Sequence, residues 1–315
     1  MTRAINGELM PEVLRSLDLP ADVHPHGTRW LSAASGLVCV GQYAYVIADD
    51  EHHLGYFTLD TVTPLTLVEL FAGALPRNKG KRKKAKPDLE CLMLAPPLEL
   101  YPHGALLALG SGSRPARKRA ALMALDSTGG IDGPPLLLDL AALYAPLQER
   151  LGDLNIEGAF HDGTALHLLQ RGNKGSRNAR ISFAWSEFSA WLLAASTMPP
   201  VPHAVQWLDL GAMGGVPLTP TDALALENGH WLFCAVAENT DDSYADGACL
   251  GSALGIVDAQ GRIESLRPLH GKPKVEGIAL EPGSDPAGAE LGVLMVTDAD
   301  DPLQPSRLLR CTLAR

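Results

Sequence analysis

The chain alternates between short apolar runs and polar turns along most of its length. Apolar runs of this kind, bounded by Gly, Pro, Asn and Asp, are typical of β-strands that are buried between stacked sheets. Two segments differ and are predicted to be helices. Leucines recur every three or four residues between Asp139 and Leu151, and Ser186 to Ala195 is the second helical segment. The pattern therefore predicts an all-β protein with two helical insertions.

The apolar runs are organised in five repeats, each of which predicts one sheet. A repeat opens with a small or acidic residue, continues with two apolar strands, and adds a third and usually a fourth strand. The openings lie about 60 residues apart, which suits the four-stranded blades of a β-propeller with loop insertions. The five opening residues are Ser35, Glu90, Glu157, Asp222 and Glu276.

The last repeat has only three strands, and the N-terminal segment supplies a match for the missing one. Val13–Leu19 resembles the fourth strands of the other repeats, whereas the last repeat stops at its third strand, Leu308–Leu313. Pairing the two segments would close the ring and remove an exposed sheet edge, which is an aggregation hazard. The sequence therefore predicts a five-bladed propeller in a single domain spanning residues 1–315, with six blades as the alternative.

The net charge and the composition exclude some classes of function. The net charge of −10 argues against a general nucleic-acid binder. No apolar run approaches the length of a membrane helix, so no membrane association is expected. The cysteines form no C-x-x-C pair and the N-terminus has no secretory signal pattern, which predicts a cytoplasmic protein with reduced thiols. The basic run from Lys79 to Lys86 is either a solvated loop or an arm that attracts an anionic partner.

The opening residues of the repeats are candidates for a metal site. The first strand of each blade lines the central channel of a propeller, so these residues should converge on the axis. Four of them are carboxylates, namely Glu90, Glu157, Asp222 and Glu276. Clustered carboxylates raise one another's pKa unless a cation neutralises them, and oxygen ligands favour hard cations. The pattern predicts bound Ca²⁺, or Mg²⁺ instead; the competing interpretation is that these side chains bind channel water or cap backbone amides.

The loops that follow the second strands carry opposite charge in different repeats. Basic residues cluster in repeats two and three, and acidic residues cluster in repeats one, four and five. If the loops share one face, the pocket between them is basic on one side and acidic on the other. Arg114, Arg171 and Lys174 are then candidates for binding a small anionic molecule, because their side chains suit phosphate and carboxylate groups. Alternatively, the loops are charged only because they are exposed.

Short motifs open three of the repeats. They are Asp88-Leu89-Glu90, Asn155-Ile156-Glu157-Gly158 and Lys274-Val275-Glu276-Gly277-Ile278. They resemble the repeat openings of phytase-like, or esterase-like, bacterial β-propeller proteins, and the resemblance covers most of the chain. It implies a propeller with a calcium-dependent phosphoesterase or lactonase among its relatives. By this resemblance, Glu90, Glu157, Asp222 and Glu276 are candidate metal ligands.

Two functions remain open at this point. The first is a divalent-metal-dependent hydrolase of a phosphoester or lactone that acts at the central channel. The second is a non-catalytic propeller that binds a small ligand or a protein partner. The sequence contains no G-x-S-x-G, H-E-x-x-H or P-loop motif, and it determines neither the substrate nor the oligomeric state.

Overall fold

The computed structural model describes residues 7–60, 62–172, 176–194, 196–239 and 248–315. Within these ranges, five four-stranded antiparallel sheets are arranged as blades around a channel. The innermost strands of successive blades pack against one another, and the innermost strand of the last blade packs against that of the first. The predicted five-bladed, all-β propeller is therefore confirmed.

The first three blades follow one another along the chain, and within each blade the strands are named from the channel outward. The first strand of the chain, β1 (Glu12–Ser16), belongs to the last blade. Blade 1 consists of β2 (Ala34–Val40), β3 (Tyr43–Ala48), β4 (His53–Thr58) and β5 (Thr66–Glu69). Blade 2 consists of β6 (Leu89–Ala95), β7 (Ala105–Gly110), β8 (Arg119–Ala124) and β9 (Leu136–Asp139). Blade 3 consists of β10 (Ile156–His161), β11 (Ala165–Gln170), β12 (Asn178–Ala184) and β13 (Ala204–Leu208).

The last two blades complete the ring. A small two-stranded sheet precedes blade 4 and consists of β14 (Ala212–Met213) and β15 (Val216–Pro217). Blade 4 consists of β16 (Thr219–Ala225), β17 (Trp231–Asn239), β18 (Ala248–Val257) and β19 (Ile263–Pro268). Blade 5 consists of β20 (Val275–Leu280), β21 (Glu290–Thr297), β22 (Arg307–Ala314) and β1.

The ring closes through the pairing of the N-terminal strand with the C-terminal strand. β1 runs antiparallel to β22 and places Val13 opposite Leu309. Leu17, which follows β1, is fully buried in the hydrophobic core between blades 5 and 1. The prediction that the N-terminal segment supplies the fourth strand of the last repeat is therefore confirmed.

Both helices predicted from the sequence are present as insertions between strands. α2 (Ala141–Leu151) buries Leu143, Tyr144 and Leu147 in the core shared by blades 2 and 3. α3 (Trp185–Leu192) follows β12 directly. Short 3₁₀ turns lie at Pro115–Arg117 and Glu227–Gly229. None of the helices in the described ranges has the length and hydropathy that a membrane span requires.

The basic run of the sequence forms a third helix, α1 (Lys79–Ala85), rather than a loop. The side chain of Asn78 caps its first turn and accepts a hydrogen bond from the Lys81 N–H at 3.0 Å. Three basic residues in the last turn interact favourably with the C-terminal end of the helix dipole. None of its side chains is buried, so α1 lies on the surface of the propeller.

The innermost strands approach one another so closely that glycine is required between blades 5 and 1. A Cβ atom on Gly277 would lie 2.7 Å from the Cα of Gly36. Because that contact is with backbone rather than with a flexible side chain, only a residue without a side chain fits there.

Candidate functional site

Each innermost strand contains a β-bulge near its start, at one end of the channel. The pairing register shifts after Ala34, Leu89, Ile156, Pro220 and Val275. A bulge turns a side chain away from the direction that regular pairing would give it. The five bulged residues are Ser35, Glu90, Glu157, Thr221 and Glu276. In blades 1, 2, 3 and 5 they are the opening residues identified from the repeats.

Blade 4 departs from the pattern, because its bulged residue is Thr221 and not Asp222. Asp222 occupies the next position and does not line the cavity described below. Its carboxylate accepts the N–H of Ala223 at 2.8 Å and the N–H of Ile278 at 2.9 Å. Burial raises the pKa of this carboxyl well above its usual value. The structure thus separates Asp222 from the three glutamates and gives it an amide-capping role.

A cavity of about 380 Å³ opens at the end of the channel where the bulges lie. Glu90, Glu157 and Glu276 line it, together with the loops that follow the second strands of the blades. The loops after the second strands therefore share one face of the ring. Of the described residues, eleven acidic and eight basic side chains line the cavity. Most of these carboxylates form an ion pair with a lysine or arginine side chain of the cavity.

Lys274 neutralises one side of the cavity, which we call the acidic wall and which consists of Glu238, Glu276, Asp298 and Asp300. Its Nζ lies 3.0 Å from Glu238 Oε1, 3.2 Å from Glu276 Oε1 and 2.6 Å from Asp300 Oδ1. Asp298 Oδ2 is 3.8 Å away. One ammonium group therefore serves four carboxylates, and the acidic wall keeps an excess of negative charge.

This excess charge and burial shift the pKa values of the acidic wall. Burial raises the pKa of Glu276 to about 7, although Lys274 and Arg171 oppose the shift. Burial also raises the pKa of Asp298 to about 8, and the neighbouring carboxylates add to the shift. Burial acts in the same direction on Glu238, but Arg171 and Lys274 outweigh it and lower the pKa of this residue. The wall therefore combines ionised carboxylates with carboxyls that can hold a proton near neutral pH.

In blade 3, the bulged glutamate is fully paired. Arg171 Nη1 lies 3.1 Å from Glu157 Oε2, and Arg171 Nη2 contacts Glu238 Oε2. The other oxygen of Glu157 accepts a hydrogen bond from Asn155 Nδ2 at 2.5 Å. Arg171 was predicted to bind an anionic substrate, and in the structure two glutamates already bind its guanidinium group. Lys174, the neighbouring candidate, lies outside the described residues.

Three carboxylates meet at the cavity where the start of β6 in blade 2 lies beside the loop after β3 of blade 1. They are Asp49, Asp88 and Glu90, and we call them the blade 2 cluster. One oxygen of each lies within 4.8 Å of the others. Lys86 Nζ contacts Asp49 Oδ2 and lies 2.7 Å from Asp88 Oδ1. Arg117 Nη1 lies 2.5 Å from Asp88 Oδ2. Within the described part of the chain, Glu90 has no hydrogen bond or ion pair of its own.

The environment of Glu90 disfavours an isolated negative charge. Burial raises the pKa of Glu90 well above its usual value, and the carboxylates of Glu157, Asp88 and Asp49 raise it further. Lys86 offsets only part of this effect. Asp88 adopts a φ of 53°, a left-handed conformation that an aspartate takes up only at some cost. Blade 2 therefore maintains a strained, electrostatically unbalanced carboxylate group beside the cavity.

The residue two positions before each bulged glutamate explains why blade 2 differs. In blade 3 this residue is Asn155 and in blade 5 it is Lys274, and both donate to the glutamate that follows. In blade 2 it is Asp88, which adds a second negative charge beside Glu90. Sequence reasoning treated the glutamates as equivalent and missed this position, although the three motifs display it.

The side of the cavity that α1 forms is basic. We call it the basic wall, and it consists of Lys79, Arg82 and Lys83 from α1 and Arg114 from the loop after β7. Arg117 joins the two elements, because its Nη2 donates to the main-chain oxygen of Lys83 at 3.2 Å. The predicted anion-binding residue Arg114 therefore lies beside the helix that the basic run forms.

The observed contacts show which of the predicted metal ligands are available to bind a cation. Of the four predicted ligands, Asp222 does not fit, because both of its oxygens accept backbone N–H groups. Arg171 and Lys274 bind Glu157 and Glu276. Glu90 has no such counter-ion within the described residues, and Asp49 and Asp88, which Lys86 contacts, lie beside it as additional oxygen donors. Hard cations such as Ca²⁺ prefer oxygen ligands of this kind.

Comparisons with solved structures find several enzymes that act on carbohydrates by their printed names. The α-L-arabinofuranosidase PaAbf62A from Podospora anserina is 14% identical, with 98% of this chain and 97% of that chain covered and a TM-score of 0.49. The putative exo-β-1,3-galactanase from Bifidobacterium bifidum s17 is 10% identical, with 95% and 93% covered and a TM-score of 0.49. A putative glycoside hydrolase from Parabacteroides distasonis is 12% identical, with 94% and 96% covered and a TM-score of 0.44. Similarity at this level carries no information about activity.

Sequence comparisons give a family but no characterised relative. No curated protein matches the chain. The sequence pattern described as "Family of unknown function (DUF6929)" matches residues 30–313, which is most of the chain. The protein therefore belongs to the DUF6929 family.

Proposed function

We propose that the protein is a divalent-cation-dependent hydrolase that cleaves an ester bond, either a phosphoester or a lactone, in a small anionic molecule. The cation binds to the blade 2 cluster, Ca²⁺ being the first candidate and Mg²⁺ the second. The observation that carries the proposal is the meeting of three carboxylates within 4.8 Å at the wall of a polar cavity. The resemblance of the repeat openings to those of phytase-like propellers supports an ester as the substrate.

The cluster has the chemistry of a hard-cation site. Its three carboxylates supply three or more of the roughly six to eight oxygen ligands that Ca²⁺ takes, and water in the open cavity can supply the others. A cation bound there would neutralise charge on the substrate and act as a Lewis acid.

The basic wall supports an anionic substrate. Lys79, Arg82, Lys83 and Arg114 line the same cavity as the cluster. Within the described residues, Lys79 makes no hydrogen bond or ion pair, so its ammonium group is available to a ligand. An acid group of the substrate would be held by these side chains while the ester bond lies beside the cluster.

The acidic wall offers a proton donor. Glu276 has a pKa of about 7 because of burial, so it retains a proton in part of the molecules at neutral pH. Hydrolysis breaks the bond between the acyl or phosphoryl centre and the leaving oxygen, and this oxygen needs a proton. We assign that step to Glu276, whose carboxyl is kept close to the cavity by Lys274 at 3.2 Å.

The direct test is hydrolysis by protein that has been stripped of metal with a chelator. The substrates are p-nitrophenyl phosphate and a γ-lactone, each assayed with added Ca²⁺, Mg²⁺ or no cation. We expect turnover only with a divalent cation. We also expect Glu90→Gln to lose at least about tenfold in kcat/KM, because it removes a ligand without changing the size of the side chain.

A matched control distinguishes the loss of a carboxylate from the blade 2 cluster from the loss of any other carboxylate in the cavity. Asp153 also lines the cavity but lies outside the blade 2 cluster, so Asp153→Asn should retain wild-type turnover. Equal losses in both variants would contradict the proposed cation site. Binding of cation and phosphate without turnover of either substrate would instead favour the second function, a non-catalytic propeller that binds a small ligand or a protein.

A further inference from the structure

We propose that Lys86 is a displaceable internal cation. Its ammonium group occupies the blade 2 cluster when no divalent ion is bound, and the ion drives it out into the cavity when it binds. The inference rests on the proposed function, because it concerns the regulation of the same site. It assigns to this lysine a role that neither the repeats nor the family comparison suggests.

Lys86 uses the same oxygens that a divalent ion requires. Its Nζ contacts Asp49 Oδ2 and lies 2.7 Å from Asp88 Oδ1. The second oxygen of Asp88 is taken by Arg117 and by the hydroxyl of Ser111, each at 2.5 Å. Asp88 therefore has one oxygen left for the cavity, and Lys86 holds it. A divalent ion and the ammonium group cannot share this oxygen at contact distance, since their charges repel.

The charge of the cluster allows an exchange of cations but not the presence of both. Asp49, Asp88 and Glu90 carry three negative charges when ionised, against one each on Lys86 and Arg117. Replacement of the lysine by a divalent ion would leave the group neutral together with Arg117. Buried charges are stable only when they are paired, so this exchange is the arrangement that leaves no carboxylate uncompensated.

Displacement of Lys86 also links the cluster to the basic wall. Lys86 is the C-cap of α1, and its N–H donates to the main-chain oxygen of Arg82 at 2.8 Å. When released, its ammonium group lies beside Arg82 and Lys83, which line the same cavity. The cation therefore adds a positive charge to the basic wall, and by linkage the binding of cation and of anion strengthen each other.

The first experiment measures Ca²⁺ binding by calorimetry to chelator-treated wild type, Lys86→Met and the control Lys81→Met. Lys81 lies on the same helix, but it is exposed, does not line the cavity and forms no ion pair with the cluster within the described residues. We expect Lys86→Met to bind Ca²⁺ about tenfold more tightly or better, since the binding-competent state no longer requires expulsion of the lysine. Lys81→Met should match the wild type.

The outcomes separate this inference from the proposed function. Equal Ca²⁺ affinity in wild type and Lys86→Met overturns the role of Lys86 and leaves the cation site standing. Binding by Lys86→Met alone would show that Lys86 blocks the cluster and is not displaced, which overturns both the displacement and a native cation-dependent hydrolase. Absence of binding in both overturns both proposals.

A second experiment needs no variant, in case Lys86→Met does not fold. Wild-type protein is treated with formaldehyde and cyanoborohydride, and methylation of each lysine is followed by mass spectrometry. We expect Lys86 to be protected without metal and to react in saturating Ca²⁺, whereas the exposed Lys81 reacts equally in both conditions. Unchanged protection of Lys86 in the Ca²⁺-bound protein would overturn the inference.

Discussion

Replacement of Lys274 by methionine should destabilise the propeller in a manner that depends on pH. The ammonium group of Lys274 serves Glu238, Glu276, Asp298 and Asp300, and its side chain is only 10% exposed. Removal of one partner from a buried ion pair costs about 3–5 kcal/mol, because it leaves uncompensated charge in the protein. Since the cavity admits water, we expect the lower end of this range, about 3 kcal/mol at pH 8.

The pH dependence follows from the carboxyls that Lys274 now neutralises. The pKa of Glu276 is already raised to about 7 and that of Asp298 to about 8, and loss of the lysine raises both further. A carboxyl whose pKa is higher in the folded than in the unfolded protein stabilises the fold below its unfolded pKa, and this contribution disappears as the pH rises. The deficit of Lys274→Met should therefore be larger at pH 8 than at pH 5.5.

Urea unfolding of wild type, Lys274→Met and the control Lys81→Met at these two pH values measures the effect. Lys81 is exposed and forms no ion pair within the described residues, so its replacement should change the free energy of unfolding little. A deficit for Lys274→Met below about 1 kcal/mol at pH 8, the size expected of a surface pair, would refute the reasoning. So would a deficit that is the same at both pH values.

Two further predictions concern the ring and its interior. Gly277→Ala should lower the free energy of unfolding by about 2 kcal/mol or more, because its Cβ would lie 2.7 Å from the Cα of Gly36. The control Gly80→Ala, in the exposed α1, should instead raise the free energy of unfolding by up to about 1 kcal/mol. If urea unfolding found Gly277→Ala to be the more stable of the two variants, this account of the packing would be contradicted. His167 is buried and hydrogen-bonded through both ring nitrogens, and burial lowers its pKa below the usual 6.5. Its contribution to stability is therefore present above pH 6.5 and lost as the pH falls, so His167→Gln should flatten the decline in thermal midpoint between about pH 7 and 5. The exposed His270→Gln serves as the control, and equal curves for both variants would exclude this explanation.

The architecture could be predicted because it depends on short-range patterns that recur. Each blade carries its own apolar strands and turns, so five similar segments predicted five sheets without knowledge of any contact between them. The pairing that closes the ring could also be predicted, because β22 is followed by no further strand and the segment around Val13 resembles the missing fourth strand.

The register inside the channel could not be predicted in every blade. Asp222 was grouped with the glutamates because it is acidic, but the bulge of β16 falls one residue earlier, at Thr221. A shift of one residue changes which side chain projects, and bulges arise from the pairing with the neighbouring strand rather than from residue type. The assignment of Asp222 therefore required the structure.

The sequence analysis also did not identify the basic side chains that neutralise the carboxylates of the channel. Lys86 and Lys274 were regarded as parts of a loop or a motif, whereas both ammonium groups lie among carboxylates of the cavity. Their partners come from different blades, which no local pattern connects. The one local signal was the residue two positions before each bulged glutamate, which distinguishes Asp88 from Asn155 and Lys274.

The most direct test of the account is to locate the ion. Crystals of the metal-stripped protein soaked in Mn²⁺, which suits carboxylate ligands, would be examined by anomalous diffraction. The account predicts one strong peak among the carboxylates of Asp49, Asp88 and Glu90, with the Lys86 side chain moved away from them, and no such peak in Glu90→Gln. A peak at Glu157 or elsewhere, or no peak with Lys86 still in place, would contradict the central claim that blade 2 carries a cation site.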